Sequence, residues 1–125
     1  MLNNKHRFYG RTKQISLEEL QQAFSSQELA YIDIALLFGS RAIGTQHARS
    51  DYDFAILVTD DSVDDGWGVY SKVWTDIGGK FGFDEVDYDV IDLSKATPEM
   101  LSSIKKGYEI LKGKEDDISR ILGEN

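Results

Sequence analysis

Asp51 and Asp53 stand two residues apart at the head of an apolar run, Phe54 to Val58. In an extended strand, residues i and i+2 project to the same side. Both carboxylates therefore point one way where a polar loop becomes a buried strand. Two negative charges at that spacing repel, and a divalent cation removes the conflict. Oxygen ligands with room left for water and phosphate suit Mg²⁺. Upstream, Gly39 and Ser40 end a second apolar run, Tyr31 to Phe38, and ten residues separate Ser40 from Asp51. Glycine lets backbone approach an anion closely. A strand that leaves through Gly-Ser into a helical turn offers amides and a hydroxyl to phosphate. Arg41 and Arg49 flank this loop and could add charge-assisted contacts to phosphate, although Arg41 reads equally well as a solvated loop residue. Taken singly, each half is an ordinary turn: Asp-x-Asp as a turn cap with a solvated strand end, Gly-Ser as a strand exit. If the two strands pair, the halves meet, and a phosphate cradle lies beside a cation site. Triphosphate chemistry needs that pairing of parts.

A third carboxylate is expected from the next strand, Glu85 to Leu93, where Asp87, Asp89 and Asp92 are available. Asp89 is the least at home among Tyr88, Val90 and Ile91. It is the first choice as third ligand and as proton acceptor from a nucleophile. Asp87 shares its face by alternation and is the runner-up. A strand with one solvated face would account for Asp87, and for both.

These groups must be held by a small mixed framework. Ser16 and Glu19 form a capping box before Leu17, Leu20, Ala23 and Phe24, which recur at helical spacing. Two buried strands follow, with a link too short for a full crossover helix, so they are expected as antiparallel neighbours. Val69, Val73, Trp74 and Ile77 have helical spacing, weakened by Gly78 and Gly79. Thr97-Pro98 opens another helix that ends near Gly107. Tyr108 to Leu111 suggests a short strand, and residues 115–122 a terminal helix. The fold class is α/β, a mixed α+β sheet in a single minimal domain. Residues 1–15 read as a flexible arm, 16–112 as the domain and 113–125 as a charged tail. Trp67, Tyr70 and Trp74 are read chiefly as packing residues, with an exposed partner or adenine surface as the alternative, and His47 as a loop residue.

Composition limits the function. The chain has 125 residues, enough for one core. Its net charge is −8, from 22 acidic and 14 basic residues, which argues against a nucleic-acid surface and suits a basic partner. It has no cysteine and two histidines, which excludes thiolate metal sites and disfavours zinc. No leader-like or membrane-length apolar run occurs, so a cytoplasmic protein is expected.

The run LFGSRAIGTQHARSDYDFAILV, Leu37 to Val58, resembles the nucleotidyltransferase superfamily related to DNA polymerase β. Its wording and gap are most similar to the minimal nucleotidyltransferases, the MntA-type antitoxins paired with HEPN-domain toxins. Tyr88 to Leu111 resembles the same family and places its third Asp at Asp89. The chain departs from the pattern at Ile43, where a second basic residue is common, which shifts triphosphate binding onto Arg41 and Arg49. The resemblance implies a polymerase β-like fold and two Mg²⁺ ions on Asp51, Asp53 and Asp89. It implies Gly39 and Ser40 on the β- and γ-phosphates of ATP, and AMP transfer to a tyrosine of a cognate HEPN toxin. One domain of this size leaves the acceptor to a partner protein. The competing expectations are a small-molecule acceptor, such as an aminoglycoside, and a non-catalytic domain that neutralises its partner by binding.

Overall fold

The structure, a computed structural model, describes residues 13–46, 50–64 and 66–123. Helix α1 (Leu17–Phe24) starts at the expected capping box: Ser16 Oγ accepts from the Glu19 amide and Glu19 Oε1 from the Ser16 amide, both at 3.1 Å. Reciprocal capping of this kind contributes about 1 kcal/mol. Strand β1 (Ile34–Phe38) runs through Gly39 into the single turn α2 (Ser40–Ile43), and β2 (Tyr52–Leu57) follows. Then come α3 (Val69–Phe81), β3 (Tyr88–Asp92), α4 (Pro98–Lys105), β4 (Tyr108–Lys112) and α5 (Glu115–Leu122).

The four strands form one sheet in the order β3-β2-β1-β4. β1 pairs antiparallel with β2, as the short link requires, and with β4 on its other side. β2 and β3 are parallel, and α3 makes the crossover between them.

Alternation along the strands gives two different faces. On one, Leu37, Tyr52, Phe54, Ile56 and Tyr88 pack with residues of α1 and α3. The rings of Phe24, Phe54, Phe81 and Phe83 meet there at centroid separations of 5.4 to 6.5 Å. Gly78 is what lets α3 lie this close. A Cβ at that position would strike the Tyr88 hydroxyl, which donates to the Trp74 carbonyl at 2.7 Å. On the other face, Ile34, Leu36 and Ala55 pack with Leu93, Ile104 of α4, and Ile118 and Leu122 of α5.

Three boundaries differ from expectation. The third strand begins at Tyr88 instead of Glu85, because Asp84 to Asp87 form a turn: the Asp84 amide donates to Asp87 Oδ2 at 2.7 Å and the Asp87 amide to the Asp84 carbonyl at 2.9 Å. The charged C-terminal segment is not a free tail, since Ile118 and Leu122 of α5 are each 1% exposed within the core. Residues 13–15 likewise pack on the domain through Lys13 and Ile15, while residues 1–12 lie outside the described residues. Among the described residues no helix is long and apolar enough to cross a membrane.

Candidate active site

Residues from four strands meet at one end of the second face. The paired positions Asp89, Asp53, Phe38 and Tyr108 form a row across β3, β2, β1 and β4. Paired residues project to the same side, so the carboxylates of Asp53 and Asp89 are neighbours. Asp51 precedes β2 by one residue. Gly39, at the end of β1, has φ +78°, a conformation that side-chain-bearing residues avoid. A Cβ there would collide with the Asp53 carboxylate. The strand exit and the acidic strand start, each unremarkable alone, are therefore in contact. Ser40 opens α2 directly beside them.

The charges are unsettled. Asp53 is half-buried, while Asp51 and Asp89 are exposed. Burial, then the negative charges of Asp51 and Asp89, push the Asp53 carboxyl up from 3.8 to about 6. A cation could take the place of the proton that Asp53 tends to keep. Carboxylates such as those of Asp51, Asp53 and Asp89 are hard oxygen donors, the kind a magnesium-type ion takes. Among the described residues no three acidic or histidine side chains stand close enough to enclose an ion unaided.

Asp87 and Asp89 are separated by their surroundings. Asp87 is 2% exposed and its carboxylate is engaged by the turn that precedes β3, whereas Asp89 lies beside Asp53. Asp92, also on β3, accepts from the Ser94 amide and hydroxyl at 2.8 and 2.6 Å, which ends the strand.

Arg41 points elsewhere than the carboxylates. Its Nε donates to the Ser50 carbonyl at 2.8 Å, Nη1 donates to Gln14 Oε1 at 3.2 Å, and Cζ sits 4.1 Å from the centre of the Tyr52 ring. Nη2 is buried without a partner among the described residues. Tyr52 alternates with Asp53 and belongs to the first face, so the guanidinium lies across the sheet from Asp53. Arg49 and His47 fall outside the described residues. Sequence reasoning missed the contacts of Arg41 with Ser50 and Tyr52; the signal was an aromatic residue between the two acids, placed by alternation on the face opposite them.

Of the aromatic trio near α3, Tyr70 caps the end of β2, accepting from the Val58 amide and donating to the Ile56 carbonyl, both at 3.1 Å. Trp74 stacks on Tyr88 at 5.0 Å, and Trp67, before the helix, is 83% exposed.

A sheet with an acidic end closed by a Gly-Ser exit defines a class of protein. Residues 18–117 match the family described as polymerase beta, nucleotidyltransferase, and the chain belongs to that family. Nucleotidyl transfer is its activity class. Among solved structures, the chain is similar to one in a toxin–antitoxin complex with AMP-PNP. The two are 21% identical over 88% of this chain and 83% of that one, with a TM-score of 0.63. It is also similar to a chain in a complex of tri-AMPylated HEPN toxin and MNT antitoxin from Shewanella oneidensis, at 17% identity, coverage of 86% and 81%, and a TM-score of 0.58. A chain of an MntA–HepT toxin–antitoxin complex matches at 17% identity, coverage of 86% and 79%, and a TM-score of 0.55. At these identities the likeness establishes a shared fold. No curated protein sequence is significantly similar to the chain.

Proposed function

We propose that this nucleotidyltransferase is the antitoxin of a two-protein pair and transfers AMP from ATP to a tyrosine hydroxyl of a HEPN-domain toxin. The observation that carries the reading is the contact of Gly39 with Asp53, and of Asp53 with the register position of Asp89, at one open end of a single small domain. The structural likeness to complexes of toxin and antitoxin supports the choice of acceptor.

Asp51, Asp53 and Asp89 would hold the metal, two Mg²⁺ ions by the family pattern. When bound, the metal supplies positive charge at the α-phosphorus and the leaving oxygen. Gly39 and Ser40 receive the β- and γ-phosphates, with Arg49 as a further candidate. The glycine allows backbone approach that a side chain would block. The tyrosine oxygen attacks the α-phosphorus, the bond to the β-phosphate oxygen breaks, and pyrophosphate leaves. Asp89, exposed and at the edge strand, accepts the hydroxyl proton. The acceptor reaches the site on the partner's surface, and a chain of charge −8 attracts a basic RNA-cutting partner.

The test is to incubate the chain with α-labelled ATP, Mg²⁺ and the product of the neighbouring gene. Label on a tyrosine of that product is expected. Tight binding of the pair with no label would replace the reading with neutralisation by contact, and label on an aminoglycoside supplied in a parallel incubation without the partner would replace it with a small-molecule acceptor.

A further inference from the structure

Arg41 follows Ser40 directly, so its side chain starts from the phosphate cradle. It does not end there. Its Nε donates to the carbonyl of Ser50, a residue only 7% exposed, at 2.8 Å, and its Cζ lies over the ring of Tyr52, 4.1 Å from the centroid. Ser50 and Tyr52 are the residues on either side of Asp51. The ring is itself fixed: the Tyr52 hydroxyl donates to the Lys13 carbonyl and accepts from the Ile15 amide, both at 2.8 Å, and the Tyr52 amide donates to the Asp87 carbonyl at 2.9 Å. A guanidinium over an aromatic face that also donates from Nε and Nη1 in two fixed directions presents a fork of donors that the single ammonium of lysine does not match. To reach a phosphate at Asp53, Arg41 would have to leave both contacts and cross to the other face of the sheet.

We infer that Arg41 is a positioning residue for Asp51 and not a phosphate ligand. It fastens both neighbours of Asp51 from behind, ties them to the residue after Ser40, and so fixes the Asp51 carboxylate relative to the cradle. The inference rests on the proposed reading of Asp51 and Asp53 as cation ligands. Supports behind a ligand commonly change metal affinity or activity 10- to 100-fold.

The test uses the full chain with Arg41→Met, which keeps an unbranched stem, and Arg41→Lys, which keeps the charge. Three measurements are made: Mn²⁺ binding by electron paramagnetic resonance in the presence of a non-hydrolysable ATP analogue, steady-state transfer, and hydrogen exchange. For Arg41→Met, Mn²⁺ affinity and kcat are each expected to fall about tenfold. KM for ATP should stay within about twofold, since no phosphate contact is removed. Arg41→Lys should recover less than half of the loss. A rise in KM for ATP of about tenfold with Mn²⁺ affinity unchanged would make Arg41 a phosphate ligand and overturn the inference. So would variants that match the wild type in every measurement. If the wild type binds no Mn²⁺, the cation reading fails, and hydrogen exchange decides the role of Arg41. Faster exchange at Asp51 and Tyr52 in Arg41→Met, with β1 unchanged, would retain it as the fastener of that loop; unchanged exchange would remove it.

Discussion

The two faces of the sheet share four strands and differ in how they end. Toward α1 and α3, the side chains at the Gly39 end are Leu37, Tyr52 and Tyr88, packed against aromatic rings and closed by Arg41. Toward α4 and α5, the same end carries Asp53, Asp89, Phe38 and Tyr108, and no helix covers the acids completely: Asp89 is exposed and Asp53 half-buried. A one-residue step along β2 moves from a side chain 1% exposed, Tyr52, to a carboxylate whose proton is held to about 6. Packing on one face fixes β2 beside β3, and that register sets Asp53 beside Asp89 on the other, within reach of the charge of Asp51.

The sharpest way to break this contrast is Asp53→Asn. Transfer should fall at least about 1000-fold, since the substitution removes an anionic ligand from the reacting centre. The protein should stay folded by circular dichroism. Residual activity within tenfold of wild type would detach chemistry from the acidic end.

Next comes the pair on and beside β3. Asp89→Asn should cut transfer by about 100-fold, the range of general-base loss, with little change in melting temperature. Asp87→Ala should do the reverse. Losing the acceptor for the Asp84 amide costs about 1–3 kcal/mol, while kcat stays near wild type in the folded fraction. Equal kinetic damage from both would mean that the turn and the site are not separable.

The apolar neighbours of Asp89 and the family resemblance favoured it over Asp87, but the structural reason for the separation was beyond the sequence. Alternation puts residues 87 and 89 on one face of any strand that includes both. Only the turn bond from Asp84 to Asp87 shows that the strand starts after Asp87. Signals that act within a few residues were legible: the Ser16–Glu19 box, Thr97 capping α4 ahead of Pro98, and the short link that pairs β1 with β2. The contact between Gly39 and Asp53 followed from that pairing. The direction of Arg41 did not, because it depends on Gln14, Ser50 and Tyr52 arriving together from separate parts of the chain. The charged C-terminus looked like a tail because Ile118 and Leu122 are spaced as a stripe among acidic residues, and what they pack on lies far upstream in Ile34 and Leu36.

A smaller effect is expected on the packed face. Gly78→Ala places a methyl group against the Tyr88 hydroxyl. It should destabilise by about 1–3 kcal/mol, as overpacking does, and lower the denaturation midpoint in urea. No loss would mean that α3 and β3 can part without cost.

The smallest effect is the pH dependence of stability without metal. Asp53 ionises near 3.8 when unfolded and about 6 when folded. As pH rises between those values the unfolded state releases its proton first, so Asp53 costs the fold stability progressively, and the cost is constant above them. Because the group is only half-buried, water screens part of it. Asp53→Asn should therefore raise the melting temperature by a few degrees at pH 8 and leave it unchanged below about pH 3, where the carboxyl is protonated in both states. A variant less stable than wild type at pH 8 would contradict the charge crowding.

The most direct measurement of the crowded acidic end is the titration of Asp53 followed by carboxyl ¹³C nuclear magnetic resonance, with and without Mg²⁺ and a non-hydrolysable ATP analogue. The midpoint should be about 6 in the free protein and should fall well below that when metal and nucleotide are bound. An ordinary carboxylate midpoint in the free protein, or one that metal and nucleotide leave in place, would contradict the assignment of these three aspartates to a cation and a triphosphate.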